Sequence, residues 1–194
     1  MSAVLEVKDL RKEFGDLTAV DGISFDIQEG EIFGFLGPNG AGKTTSISMI
    51  CGLLKPTAGE VLVEGRSILK EPREVKKLLG VVPQEVAIYE ELSARENLMF
   101  WGGIYGMGGG GLRSRVDELL EQVGLEDRAK EPTKNFSGFM KRLLILALGL
   151  ILDPKLSRLD EPTVGIDPQA RRNILDVVKS IVAGGRTVLY TTHY

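Results

Sequence analysis

The sequence predicts an α/β domain with a mainly parallel β-sheet, an antiparallel β portion near the N-terminus and an inserted helical lobe. Apolar and polar residues alternate with period two close to the start, and short apolar runs then alternate with helix-compatible segments. In the middle of the chain, from Gln84 to Leu152, helical patterns dominate. Because 194 residues are too few for two independent domains of ordinary size, we expect a single core.

The first half of the chain has the order of elements of a β-α-β unit. Period-two alternation predicts strands with one buried face, and a short apolar run predicts a strand that enters a glycine-rich loop. Pro72 suits the first turn of a short helix. The predicted strands lie at 5–7, 23–27, 31–36 and 80–82, and the predicted helices at 43–53 and 72–79.

The second half begins with helices and then returns to alternating elements. Ser93 and Glu96 have the spacing of a capping box, which predicts the start of a helix. Residues 101–111 are rich in glycine and are interpreted as a flexible linker. The remaining predicted helices are 112–123, 137–150 and one that begins at 167, and the remaining predicted strands are 156–160 and 187–191.

Composition excludes several classes of protein. Hydrophobic residues make up 43% and charged residues 26%, which argues against extensive disorder or a coiled-coil rod. The net charge of -3, without long basic tracts, argues against nucleic-acid binding. The single cysteine, Cys51, fits a reducing compartment. There is no signal-peptide stretch, and the longest apolar run, 143–152, is far below the roughly twenty residues that span a bilayer, so we expect a cytoplasmic protein.

The glycine-rich segment 37–44 fits the phosphate-binding pattern G-x-x-x-x-G-K-[ST], directly after a predicted strand and at the start of a predicted helix. Glycines let backbone N–H groups turn inward around phosphates, and the helix N-terminus adds positive potential. An ordinary glycine turn is the alternative, and the strand–loop–helix context disfavours it. The predicted nucleotide-binding residues are Gly37, Pro38, Asn39, Gly40, Ala41, Gly42, Lys43 for the β- and γ-phosphates, Thr44 for Mg²⁺, and Thr45.

Two carboxylates, Asp160 and Glu161, close the predicted strand 156–160. Ligands of open α/β sheets bind at the carboxyl ends of the strands, so both lie where phosphates would be. Asp160 is expected to hold Mg²⁺, usually through water, and Glu161 to orient and partly deprotonate the attacking water. The alternative is a pair of solvated acids at a strand end.

In the order of its motifs, nearly the whole chain resembles the ATP-binding subunit of ABC transporters. Gln84 resembles the family's Q-loop, Ser137-Gly138 its signature, residues 165–167 its D-loop and His193 its switch histidine. The amino-acid sequences of segments 81–89, 161–165 and 191–194 are similar to those of drug and antibiotic exporters of the daunorubicin-resistance type.

The resemblance implies a role for each of these residues, and each has a structural alternative. Gln84 would sense Mg²⁺ and the attacking water, or be a solvated loop residue. His193 would bridge the γ-phosphate and Glu161, or be a structural histidine. Phe14 matches the aromatic residue that stacks on adenine, or it has a core or turn role. Asp167 would reach the opposite subunit, and it also suits a helix cap before Pro168.

The resemblance further implies an ATPase that uses Mg²⁺ and works in a head-to-tail dimer with a second nucleotide-binding subunit. Ser137 and Gly138 of one subunit would face the phosphates bound by the other, although Ser137 could be a helix cap alone. A separate transmembrane permease would be the further partner, with the chain peripheral on the cytoplasmic face of the membrane. The single domain would comprise an ATP-binding core, about 1–84 and 153–194, and a helical subdomain, about 85–152.

Three departures from the family pattern are visible. Phe139 replaces the second glycine of the signature, which predicts impaired hydrolysis with ATP binding intact. Where the family has an unbroken apolar strand before Asp160, this chain has Ser157 and Arg158, and Arg158 should find a carboxylate, reach outward or destabilise the fold. The chain stops one residue after His193, where the family continues, so we expect a truncated domain.

Two other functions stay open at this stage. One is a soluble ABC-type ATPase that works without a permease. The other is a regulatory half-site that binds ATP with little turnover, which the three departures favour. Cargo and direction of transport are not encoded in these motifs.

Overall fold

A computed structural model describes residues 3–38, 40–82, 88–160, 162 and 166–192. Gln84, Glu161, His193 and Asn39 lie outside the described residues. The described elements, in chain order, are β1 (Ala3–Phe14), β2 (Leu17–Gln28), β3 (Ile32–Leu36), α1 (Lys43–Ile50), β4 (Ala58–Val63), β5 (Arg66–Ser67), α2 (Pro72–Lys77), β6 (Leu79–Val82), α3 (Ala94–Ile104), α4 (Gly109–Gln122), α5 (Gly138–Gly149), β7 (Leu156–Asp160), α6 (Pro168–Ala183) and β8 (Thr187–Thr192).

Two four-stranded sheets confirm the predicted fold class. The N-terminal sheet has the order β2-β1-β4-β5 and is antiparallel. The second sheet has the order β3-β8-β7-β6 and is parallel. In the antiparallel sheet Leu5 pairs with Ile27 and Val7 with Phe25, so the period-two residues of the sequence do share one face.

The parallel sheet separates two apolar clusters. Successive residues of a strand point to opposite faces, so Leu156 and Leu189 join the cluster that packs on α1 and the antiparallel sheet. Leu159 and Val188 join the cluster formed with α6 and the helical lobe. The two faces of one sheet are therefore buried against different parts of the chain.

The helical lobe corrects one prediction. Residues 101–111 are not a flexible linker, because Trp101–Gly103 end α3 and Gly109–Gly111 begin α4. A Cβ atom on Gly102 would lie 2.3 Å from Cδ1 of Leu112, so this glycine lets α3 pack directly against α4. Gly102 thus serves a helix–helix contact, a role that composition alone does not distinguish from flexibility.

The predicted start of α3 is confirmed, whereas two helices end earlier than predicted. Ser93 caps α3, and both hydrogen bonds of the capping box with Glu96 are present. The helix predicted at 43–53 ends at Ile50, and the one predicted at 72–79 ends at Lys77, because Leu79 pairs with Leu156 in the sheet. Across the described ranges, no helix has both the length and the apolarity needed to cross a bilayer.

Candidate functional site

The glycine-rich loop connects β3 to α1, as the sequence predicts. Gly40 and Gly42 have φ angles of 83° and 78°, in the left-handed region that favours glycine. A Cβ atom on Gly42 would lie 2.4 Å from the carbonyl oxygen of Ala19. The start of α1 can therefore approach the backbone of β2 this closely only because residue 42 has no side chain.

Lys43 lies inside this loop. It is buried, and its Nζ donates hydrogen bonds to the carbonyl oxygens of Gly37 and Pro38, the latter at 2.7 Å. Carbonyl oxygens orient the ammonium without neutralising its charge. A full positive charge is thus held at the loop, where a phosphate would meet it.

The N-terminus of α1 lines a cavity of about 260 Å³. Backbone N–H groups in the first turn of a helix have no acceptor within the helix, and Gly42 offers no side chain to cap them. The Thr44 side chain is exposed and that of Thr45 is half-buried. The cavity is lined by Leu17, Thr18, Ala19, Gly40, Gly42, Lys43, Thr44 and Thr45.

Phe14 stands beside this cavity at the end of β1. It pairs with Leu17, which lines the cavity, and its ring is 49% exposed. The Nζ of Lys12 lies 5.0 Å from the ring centroid, a cation–π distance. The ring is thus on the surface rather than in the core, which removes the core alternative considered for it.

Asp160 ends β7 at the carboxyl edge of the parallel sheet. Its register partner Thr191 donates a hydrogen bond of 2.8 Å to Oδ1, and the same hydroxyl lies 3.2 Å from the carbonyl oxygen of Leu159. The Nη2 of Arg158 donates a hydrogen bond to the other carboxylate oxygen, Oδ2. The sequence did not predict the Thr191 contact, because it depends on which strand lies next to β7.

Arg158 has found a carboxylate, one of the outcomes expected for it. Its side chain is only 13% exposed, and its Nε is buried without a hydrogen-bond partner in the described part of the chain. The nearby thiol of Cys51 is also buried. Burial raises the pKa of the Cys51 thiol, while the positive charge of the nearby Arg158 guanidinium partly opposes that rise. Cys51 is accordingly a packed side chain, with a protonated thiol at neutral pH.

The signature-like residues lie at the start of α5. Ser137 caps this helix by accepting a hydrogen bond of 3.2 Å from the N–H of Met140, and Gly138 is exposed. A Cβ atom on Gly138 would meet nothing within 4 Å. Phe139 is half-buried and packs against the core of the helical lobe.

Asp167 caps α6. Its Oδ1 accepts hydrogen bonds of 3.0 Å from the N–H groups of Gln169 and Ala170. The helix-cap role considered for this residue is therefore present. The cap uses Oδ1, so it does not exclude the role toward a second subunit that the family resemblance implies.

A Mg²⁺ ion is implied by the family resemblance, and the side chains present suit it chemically. Asp160 and Thr44 supply the hard oxygen donors that Mg²⁺ prefers. Within the ranges that the structure describes, no group of three or more His, Cys, Asp or Glu is placed to hold a metal ion by itself. Both Asp160 oxygens already accept hydrogen bonds, and each retains a further lone pair.

The two sheets, the helical lobe and the lysine-bearing loop define a phosphate-binding α/β domain of the P-loop class. The ABC transporter family matches residues 20–164, and the chain belongs to that family. The fold and the family resemblance predicted from the sequence are thereby confirmed.

Curated relatives include ATP-binding proteins named for drug resistance, among them one of the daunorubicin-resistance type. The chain is 50% identical over 191 residues to the linearmycin resistance ATP-binding protein LnrL of Bacillus subtilis, covering 98% of this chain and 61% of the relative. It is 42% identical over 190 residues to the daunorubicin resistance ATP-binding protein DrrA3 of Streptomyces coeruleorubidus, covering 98% and 60%. The chain thus spans about three fifths of the length of these relatives.

Solved structures agree on the fold. The structure of cbiO1 from Clostridium perfringens, described as part of the ABC transporter complex cbiONQ, superposes with a TM-score of 0.92 at 30% identity. The match covers 100% of this chain and 80% of cbiO1. An ATP-binding cassette named MJ1267 superposes with a TM-score of 0.88 at 27% identity, covering 100% and 82%.

Proposed function

We propose that this chain binds and hydrolyses ATP to power an ABC-type exporter of drugs or other small amphipathic molecules. The observation that carries the proposal is the Lys43 ammonium held inside a glycine loop, next to a helix N-terminus and a cavity. In this arrangement a fixed positive charge and unpaired N–H groups of α1 face the same cavity. A triphosphate is the ligand whose charge and oxygen spacing such a loop suits.

Different residues are proposed for ATP binding, for metal binding and for hydrolysis. Lys43 and the amides of α1 would neutralise the β- and γ-phosphate oxygens, and Phe14 would stack on adenine. Asp160 and Thr44 would hold Mg²⁺, which supplies Lewis-acid stabilisation of the phosphate charge when bound. Glu161 would take the proton of the attacking water.

The roles of Gln84 and His193 are proposed from the family alone. Gln84 would contact the metal and the water, and His193 would orient the γ-phosphate toward Glu161. Residues 165–167 and Ser137-Gly138 would complete the site of a second, head-to-tail subunit. The exposed Gly138 at the start of α5 supports this, because even a Cβ atom added there would meet nothing within 4 Å.

Partners and cargo are proposed from the relatives. Proteins named for linearmycin and daunorubicin resistance and for Nod factor export match nearly all of this chain, which favours an exporter over a soluble ATPase without a permease. We propose a transmembrane permease as the cargo-selecting partner and a location at the cytoplasmic membrane face. We also propose an ATP-binding core, about 1–84 and 153–194, and a helical subdomain between them.

A hydrolysis-impaired regulatory subunit is the second candidate. It is favoured by one observation, the Arg158 guanidinium on the carboxylate expected to hold Mg²⁺. In such a subunit ATP would still bind and still bring two subunits together, but turnover would be slow. A phosphate-release assay beside a nucleotide-binding assay separates the two candidates.

The hydrolysis proposal is tested by Glu161→Gln, with Glu121→Gln as a control on the exposed face of α4. We expect steady-state phosphate release to fall at least about a hundredfold in Glu161→Gln, the usual effect of losing a general base. The control should retain the rate of the unmodified chain. Equal rates in all three proteins would contradict a hydrolytic role for Glu161.

A further inference from the structure

Arg158 and Asp160 occupy the same face of β7, because they are two residues apart in a strand. That face also carries Leu156 and looks toward α1 and its end at Cys51. The guanidinium donates to Oδ2 of the carboxylate that the nucleotide site would use for its metal. A permanent positive charge therefore contacts the carboxylate that is expected to hold Mg²⁺.

Among the described residues, Asp160 is the carboxylate that pairs with the Arg158 guanidinium, and the neighbouring strands supply no other. The register partners of Arg158 are Val81 in β6 and Leu189 in β8, neither of which has a side-chain acceptor. The thiol of Cys51 is a weak acceptor. Arginine does not lose its proton in proteins, so Arg158 stays charged wherever its side chain lies. Loss of Asp160 would leave a largely buried charge without compensation.

We propose that Arg158 is an internal counter-ion of Asp160 that competes with the divalent metal and thereby weakens the dependence of ATP binding on Mg²⁺. The Asp160 carboxylate is shared between Thr191 and Arg158, so a metal held through this group must repel the guanidinium or displace it. Either change opposes metal binding. ATP itself would be held by Lys43, whose hydrogen bonds go to Gly37 and Pro38 rather than to the Arg158–Asp160 pair, so we expect metal-free binding to change little.

The inference rests on the proposed nucleotide site, and the test separates the two. The dissociation constant of ATP is measured by equilibrium dialysis with Mg²⁺ and with EDTA. The EDTA constant divided by the Mg²⁺ constant reports how strongly ATP binding depends on the metal. In Arg158→Ile we expect this ratio to rise about tenfold, the effect of removing one charged hydrogen bond from the competition. The EDTA constant should stay within about twofold of the unmodified value.

Arg186→Ile is the matched control, because Arg186 also pairs with an aspartate, Asp153, but remote from the loop. Its ratio should equal that of the unmodified chain. Should Arg158→Ile fail to fold, Arg158→Gln removes the same charge while keeping a hydrogen-bond donor, and the same rise is expected. Titration with Mn²⁺, followed by its electron paramagnetic resonance signal in the presence of ADP, gives a second readout: tighter Mn²⁺ binding in the neutral variants.

The outcomes are distinct. ATP retention by the unmodified chain with an unchanged ratio and unchanged Mn²⁺ binding in both Arg158 variants would overturn this inference alone. Absence of ATP retention under both conditions by the folded, unmodified chain would overturn the proposed function, and this inference with it.

Discussion

Asn97 binds both backbone polar groups of Tyr89. Its Oδ1 accepts a hydrogen bond of 2.8 Å from the Tyr89 N–H, and its Nδ2 lies 3.0 Å from the Tyr89 carbonyl oxygen. Nδ2 also lies 3.0 Å from the carbonyl oxygen of Ser93, and the side chain is fully buried. One amide thus joins α3 to the chain segment that follows residues 83–87.

Asn97→Ala should destabilise the protein by about 2–3 kcal/mol, because it leaves buried backbone groups without partners. In a chain of this size that lowers the melting temperature by about 2–4 °C per kcal/mol. Asn135→Ala, at an exposed position, is the matched control and should melt within about 1 °C of the unmodified chain. Thermal unfolding followed by circular dichroism is the measurement, and equal melting temperatures for the two variants would contradict the role given to Asn97.

Gly42→Ala and Gly40→Ala separate steric contact from backbone conformation. Both glycines have left-handed φ angles, but only a Cβ on Gly42 meets the Ala19 carbonyl oxygen, whereas one on Gly40 meets nothing within 4 Å. Gly40→Ala should cost only the conformational strain, about 1 kcal/mol. Gly42→Ala should cost more and also displace the start of α1, so its loss of ATP affinity should be the larger. Chemical denaturation and ATP dialysis on both variants provide the comparison, which fails if Gly40→Ala is the more severe.

Phe139→Gly tests whether the ring in the signature slows hydrolysis. Loss of one preorganised contact to the transition state typically lowers the rate about a hundred- to a thousandfold, and restoring the glycine should recover much of that factor. The same change removes a ring that packs on the lobe core, so the melting temperature should fall. Phe139→Ala removes the ring but keeps a Cβ, and it isolates the packing loss. Equal phosphate release by the glycine variant and the unmodified chain would remove the proposed defect.

Arg158→Ile should raise the melting temperature by about 3 °C, because the buried and partly unsatisfied guanidinium is replaced by a side chain that suits a central strand. Asp160 is 32% exposed and keeps the Thr191 hydroxyl, so it remains solvated after the change. Differential scanning calorimetry checks this. An unchanged or lower melting temperature would show that the ion pair is net stabilising.

The capping box gives stability a defined pH dependence. Hydrogen bonds from the Ser93 side chain and backbone hold the pKa of Glu96 below its ordinary value. Because the folded-state pKa is the lower one, this stabilisation is complete above the ordinary glutamate range, about pH 4.3, and is lost as the pH falls through the folded value. Glu96→Gln lacks this titration. The difference in unfolding free energy between the two proteins should shrink between pH 6 and about pH 3, and a constant difference would contradict the assignment.

Local patterns were sufficient for most of the fold. The spacing of Ser93 and Glu96, the position of Asp167 before Pro168, and the strand–loop–helix context of Lys43 depend on neighbours in sequence, and each appears where it was predicted. The glycines of 101–111 were misinterpreted because helix packing is a contact between distant residues. The role of Gly102 is explained by its close contact with Leu112 on the next helix.

The candidate site shows the same division. The glycine-rich loop and Asp160 could be predicted from the sequence, because each follows or ends a single predicted strand. The sharing of Asp160 between Thr191 and Arg158 depends on strand order and on side-chain direction. The sequence could predict that Arg158 needs a carboxylate but left open which one, and the proposed competition with Mg²⁺ depends on that carboxylate being Asp160.

The central claim is that the loop from Gly37 to Thr44 holds a triphosphate by means of Lys43. Equilibrium dialysis of radiolabelled ATP with Mg²⁺ tests it most directly, on the unmodified chain, on Lys43→Ala and on Lys179→Ala, a lysine that pairs with Asp176 on α6. We predict that the unmodified chain and Lys179→Ala retain ATP equally and that Lys43→Ala binds at least about tenfold more weakly. No retention by the folded, unmodified chain, or equal retention by Lys43→Ala, would contradict it.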